Sequence, residues 1–178
     1  MWERFTFYGM RALLVLYCVA ATTADNPGLG WNEPQALKLY AWYTGFVYLT
    51  PLIGGWLADN YLGQRKSIIL GGLLMAVGCF MLLSPEIHLF LIGLAVIVAG
   101  NGLFKPNIST MIGKLYVPGD VRRDSGFTIF YMGINLGAFM GPLIAGYLAQ
   151  RVDWHIGFAS AGVGMAFGEH NVNIGQGA

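Results

Sequence analysis

Trp2-Glu3-Arg4-Phe5-Thr6-Phe7-Tyr8-Gly9-Met10-Arg11 runs directly into the apolar stretch Ala12 to Ala21. This stretch decides the fold class, because charged residues and a long apolar run share one segment. On a helix, Arg4, Tyr8 and Arg11 fall at i, i+4 and i+7 and share a face, with Glu3 and Phe7 beside it. An ionisable side chain at the centre of a lipid-spanning helix costs at least about 2.5–3.5 kcal/mol and persists where it meets a partner or a wet cavity. Lys105, inside another apolar run, raises the same question. These charges are expected to line one cavity that the remaining helices hold together.

The totals agree with a membrane protein. The 178 residues are 56% hydrophobic and only 11% charged, where soluble domains average about 25% charged. The net charge of +1 gives no electrostatic case for nucleic acid. Cys18 and Cys79 lie inside apolar runs, with neither metal spacing nor a disulfide framework, and read as small buried hydrophobes. No cleavable signal peptide is evident. The 26 glycines suit close helix packing in lipid.

Outward from the first stretch, apolar segments are expected over 1–21, 36–58, 67–83, 89–112 and 125–149, with a partial one over 156–167. The loop from Thr22 to Pro34 carries turn formers, among them Asp25, Asn26, Pro27, Gly28 and Gly30. A span needs roughly 20 residues, so the sixth helix reads as truncated. Residues 169–178 are polar, without helical period, and read as a tail that does not belong to the fold. The chain reads as a fragment. Arg65, Lys66, Lys114, Arg122 and Arg123 fall in alternate loops, and only Arg151 falls in the others. Lys and Arg favour the cytoplasmic side, so those two loops and the N-terminus are expected inside.

Gly54-Gly55-Trp56-Leu57-Ala58-Asp59-Asn60-Tyr61-Leu62-Gly63-Gln64-Arg65-Lys66 joins the second and third segments. It resembles the cytoplasmic motif of the major facilitator superfamily, Gly-x-Leu-Ala-Asp-x-x-Gly-Arg-Lys, with one extra residue before Gly63 and Gln64 in place of Arg. Glu3-Arg4-Phe5-Thr6-Phe7-Tyr8-Gly9 is similar to the first-helix motif of one branch, the proton-dependent oligopeptide transporters, Glu-x-x-Glu-Arg-Phe-x-Tyr-Tyr-Gly. Phe127 to Gly137 is similar to that branch's fifth-helix signature, and Gly102-Leu103-Phe104-Lys105-Pro106-Asn107-Ile108-Ser109 adds a fourth match. Together they cover residues 1 to about 168. The first Glu of the first-helix motif would fall before Met1, which bears on proton coupling by this chain, and Phe7 stands where Tyr is common.

The resemblance implies an all-α membrane protein, the N-terminal six-helix half of a major facilitator transporter built from three-plus-three inverted repeats. It implies proton-coupled symport of di- and tripeptides across the cell membrane, with the lipid bilayer and a missing C-terminal helix bundle as partners. Glu3 and Arg4 would handle the proton. Arg11, Tyr8, Tyr48, Lys105 and Asn135 would hold the peptide. Asp59, Arg65 and Lys66 would form a latch between the two halves. The alternatives are a transporter of nitrate or another small anion, and an inert half-transporter.

The residues themselves support part of this. An adjacent cation favours the Glu3 carboxylate while desolvation favours its protonated form, so a small geometric change could load or release a proton. Lys105 lies nine residues before Lys114, about 13–14 Å along a helix, which is near mid-depth in a ~30 Å core. Pro106 is expected to kink that helix. Gly133, Gly137 and Gly141 form a small-residue stripe suited to a helix contact. Gly-Asn-Gly at 100–102 reads as packing, and Tyr40 as an interface residue. No His pair has metal spacing, no enzymatic constellation appears, and no cofactor is implied beyond the proton as coupling ion.

Overall fold

The computed structural model describes the backbone of residues 1–114 and 120–174 and the side chains up to 168, so 115–119 of the expected charged loop and 175–178 of the expected tail lie outside the described residues. Six helices follow one another: α1 (Trp2–Val19), α2 (Glu33–Leu57), α3 (Gln64–Met81), α4 (Ile87–Lys114), α5 (Arg122–Arg151) and α6 (Trp154–Ile174). A π-helical turn, Ala58–Leu62, extends α2 toward Gly63, whose φ of 75° turns the chain into α3. That left-handed backbone is one that glycine adopts without steric cost. At the other end of α2, Asn32 caps the helix by accepting from Gln35 N at 2.9 Å.

Neighbouring contacts fix the helix directions. Gly71 of α3 meets Gly100 of α4, and Gly78 meets Gly93, so these two run antiparallel. Gly9 of α1 lies against Gly141 and Ala145 of α5, while Phe5 lies against Gly141, so α1 and α5 run parallel. The helices therefore alternate up and down. One end gathers the α2–α3 turn and the α4–α5 connection. The other gathers the α1–α2 loop, the α3–α4 turn and the α5–α6 turn.

Small residues let the backbones meet. On α5 the buried residues are Gly137, Gly141, Ala145 and Ala149, spaced four apart. A Cβ on Gly141 would come within 2.5 Å of the Phe5 carbonyl oxygen. The expected glycine stripe is thus the α1–α5 seam, extended by two alanines. Pro106 does not end α4, which continues to Lys114. The proline cannot donate to Gly102 O, and that carbonyl packs instead against Gly54 of α2.

The core is apolar and many-helixed. Met10, Leu13, Leu14 and Tyr17 of α1 bury against Phe90, Leu94 and Ile97 of α4 and Phe158 of α6. At the end holding the α1–α2 loop, Asn26 Nδ2 donates to Ala149 O at 2.6 Å, and Trp154 Nε1 donates to Asn26 O at 3.1 Å. His155 Nδ1 lies 2.7 Å from Leu82 O, tying α6 to the end of α3. The same loop donates to α1's last carbonyls, from Leu29 N to Tyr17 O and from Trp31 N to Cys18 O.

α3, α4 and α5 are long and apolar enough to cross a membrane by length and composition. Glu3, Arg4 and Arg11 set α1 apart from them. The sixth helix differs from the expectation of a truncated span over 156–167. It runs from Trp154 to Ile174, 21 residues, so the polar sequence after 168 continues the helix as far as Ile174. Hydropathy marks where a helix can meet lipid, not where its backbone hydrogen bonds stop, and no proline interrupts this one.

Candidate functional site

Glu3, Arg4 and Lys105 line the same cavity, about 210 Å³ in volume. Its other walls come from Phe104 and Ile108 of α4, Phe130 and Ile134 of α5, and Met165 of α6. α1 supplies the acid and its adjacent base, and α4 supplies the ammonium across from them. Of the charges expected to line one cavity, Glu3, Arg4 and Lys105 do so, while Arg11 is not among its lining residues.

Glu3 is buried, and its two oxygens have different partners. Oε1 accepts from Asn101 Nδ2 at 3.0 Å. Oε2 lies 3.3 Å from Arg4 Nε. That contact is an ion pair of poor hydrogen-bond geometry, since Arg4 Nε has no hydrogen-bond partner of its own. A carboxylate can be held this way without being locked to one cation.

Lys105 is half-buried and makes no ion pair among the described residues. Its ammonium lies 4.9 Å from the Tyr48 ring centroid and 5.9 Å from that of Phe7. Aromatic faces attract a cation without neutralising it, so the charge stays available to an anion. Arg11 approaches the same Phe7 ring at 5.6 Å and also stacks on Tyr40 at 5.7 Å. Its Nε donates to the Tyr40 hydroxyl at 2.7 Å. Phe7, buried on α1, is the ring both cations share. Tyr8 packs edge-on against it, ring centroids 5.2 Å apart, and Tyr48 does so at 6.5 Å.

Asn135 stands apart. It is exposed on α5, and its Nδ2 donates to Tyr131 O one turn back at 3.0 Å; the cavity wall on that helix is Ile134 instead. Asp59, Arg65 and Lys66 are exposed around the α2–α3 turn. No ion pair joins Asp59 to Arg65 or Lys66 among the described residues.

Two residues of this constellation differ from their reading in the sequence. Tyr40 is Arg11's hydrogen-bond partner, a role its reading as an interface residue did not include. Tyr40, Thr44 and Tyr48 recur every four residues, so the face that carries Tyr48 also carries Tyr40. Asn101 is the partner of Glu3 rather than packing alone, although Gly100 and Gly102 on either side do pack closely. Only the burial of an amide in an apolar run hinted at it.

A sequence model of the POT family matches residues 65–176. This chain belongs to the POT family. The di-/tripeptide transporter of Lactococcus lactis subsp. lactis (strain IL1403) is 48% identical over 167 residues, covering 93% of this chain and 34% of that protein. The peptide transporter YePEPT of Yersinia enterocolitica subsp. palearctica is 49% identical over 168 residues, covering 93% of this chain and 32% of its own length. A crystal structure of a mutant of the peptide transporter POT in complex with alafosfalin superposes with a TM-score of 0.92 at 45% identity, covering 97% of this chain and 36% of that one. The chain thus spans about a third of the length of these POT relatives. They are transporters and not enzymes, and the six helices correspond to the N-terminal half of the POT fold, as the motifs implied.

Proposed function

We propose that the full-length protein containing this chain is a proton-coupled symporter of di- and tripeptides in the cell membrane, with the N-terminus of this segment cytoplasmic. The observation that carries the reading is the single cavity holding Glu3, Arg4 and Lys105. A titratable carboxylate between an amide and a loosely held arginine can take up and release a proton. A lysine that lies against aromatic faces and makes no ion pair among the described residues can bind a peptide's terminal carboxylate. Arg11, steered by Tyr40, adds a second cation beyond Phe7, and Tyr8 and Tyr48 complete the peptide-facing set, with the exposed Asn135 left outside it. The relatives' names support the substrate class.

The exposed Asp59, Arg65 and Lys66 would close on the C-terminal helix bundle as a latch. Arg65 and Lys66 at the start of α3, Lys114 at the end of α4 and Arg122 and Arg123 at the start of α5 lie at one end of the bundle, against Arg151 at the other, which supports placing the more basic end in the cytoplasm.

Proteoliposomes of the full-length transporter test this. A proton gradient, acidic outside, is expected to drive accumulation of a labelled dipeptide, and collapsing the gradient with a protonophore is expected to stop it. Accumulation of nitrate in place of dipeptide, or dipeptide uptake indifferent to the gradient, would overturn the proposal.

A further inference from the structure

Three consecutive residues of α4 face three different helices. Gly100 packs against the backbone of Gly71 and Met75 on α3, and Gly102 against Thr50 on α2. Between them Asn101 reaches α1, where Nδ2 donates to Glu3 Oε1 at 3.0 Å. The two glycine contacts leave α4 no room to shift there, because a Cβ at either glycine would come within 3 Å of neighbouring atoms. The amide is therefore held at a fixed place. It is 2% exposed, and its Oδ1 is buried with no hydrogen-bond partner.

An ionised carboxylate only accepts hydrogen bonds, whereas a protonated one also donates, and an amide offers both functions from one group. With Nδ2 toward Glu3, Asn101 serves the carboxylate. Turned about its last torsion, the same amide presents Oδ1, which could accept the O–H of protonated Glu3. Each state of Glu3 then has a partner in the same place, and neither strands a buried polar group at the carboxyl. Asn101 also sits one turn before Lys105 on the same face of α4, so the helix that follows Glu3 is the one that carries the ammonium.

The other groups that face Glu3 do not offer this pair of roles. Arg4 on α1 and Lys105 on α4 are cations that only donate. The Tyr43 hydroxyl of α2 lies within electrostatic reach but makes no hydrogen bond. The Met1 side chain at the cavity edge is not titratable, and the α5 and α6 walls contribute Phe130, Ile134, Met165 and Gly168, none of them titratable.

We infer that Asn101 is the positioning residue for Glu3, holding its carboxyl in both protonation states and thereby linking proton loading on α1 to α4. This rests on the proposed proton-coupled transport. The test compares wild-type full-length transporter with Asn101→Leu, of similar volume, and Asn101→Thr, whose hydroxyl both donates and accepts. Proton-driven dipeptide uptake is measured beside peptide exchange at equal pH on both sides. Asn101→Leu is expected to lower driven uptake about tenfold while the KM for peptide and the exchange rate stay within about twofold of wild type. Asn101→Thr is expected to recover most of the driven rate. If Asn101→Leu does not fold, Asn101→Ala carries the same reading. Driven uptake and exchange falling together, neither falling, or Asn101→Thr failing like Asn101→Leu would overturn the inference while leaving wild-type symport intact. Wild type without driven uptake would overturn both.

Discussion

Lys105 and Arg11 are two cations on one ring, and their surroundings make different demands. Lys105 lies against the faces of Phe7 and Tyr48 and makes no ion pair among the described residues, so its contribution appears when an anion binds. Lys105→Gln keeps the stem and removes the charge. It is expected to lower full-length dipeptide uptake by about tenfold or more, since a hydrogen bond to a charged group is worth about 1.5–3 kcal/mol. A transport rate within twofold of wild type would remove Lys105 from the binding set. Arg11 is held by shape as much as by charge: its Nε bonds the Tyr40 hydroxyl at 2.7 Å while the guanidinium lies over two rings. A lysine cannot reproduce a fixed fork that both stacks and donates. Arg11→Lys is therefore expected to raise the KM for dipeptide several-fold, and Tyr40→Phe to do so more weakly, because it costs one hydrogen bond of about 1 kcal/mol. Equal KM values for wild type and Arg11→Lys would show that charge alone matters there.

At the scale of elements, the α1–α5 seam and the Asn26 tie are where packing can be tested without touching the cavity's charges. Gly141→Leu would drive a side chain into the Phe5 backbone. Overpacking of this kind costs about 1–3 kcal/mol, so a lowered Tm and a smaller monodisperse fraction are expected in detergent. Asn26→Ala removes the bond to Ala149 O and the one accepted from Trp154 N, and a lower Tm with an unchanged KM is expected. At the start of α5, Asp120 accepts from the side chain and the backbone of Arg122. These bonds, the side-chain ones first, hold its carboxyl below the usual carboxylate range. A depressed folded value means the stabilisation by these bonds is present above the ordinary aspartate value near ~3.9 and is lost as the pH falls through the lower folded one. The protection of Arg122 N against hydrogen exchange, relative to the unprotected rate at each pH, is expected to hold down to about pH 4 and to fall below it. What the sequence displayed follows the same division. Apolar runs located all six helices, because hydropathy is a property of each segment by itself. The continuation of α6 past 168 was hidden, since a helix can continue through polar residues. Asn101 and Asn26 were hidden for another reason: their partners lie 98 and 123 residues away, and no local pattern encodes a contact between distant helices.

For the whole molecule, the decisive fact is that the chain spans about a third of its POT relatives. Its surface is consistent with a bundle that meets something more than water. Trp42, Phe46 and Leu52 on α2 and Ile129, Phe139 and Tyr147 on α5 are all exposed, and the cavity with Glu3, Arg4 and Lys105 has no described wall beyond α1, α4, α5 and α6. Lipid can cover part of that apolar surface, but it cannot supply a counter-charge for Lys105 or a partner for Asp59, Arg65 and Lys66. A peptide bound between Arg11 and Lys105 would likewise have its other end unheld. The chain produced alone is therefore expected to insert into the membrane and to move no dipeptide under a proton gradient. Produced together with the rest of the proposed full-length transporter as a separate polypeptide, it is expected to co-purify with that piece and to recover gradient-driven uptake. Replacing Asp59 by Asn in the paired system is expected to weaken co-purification and slow uptake several-fold, with insertion unchanged, because only a charge that acts between the halves affects assembly without affecting the half itself. Uptake by the isolated chain, or co-purification indifferent to Asp59, would mean that these six helices do their work without a partner bundle.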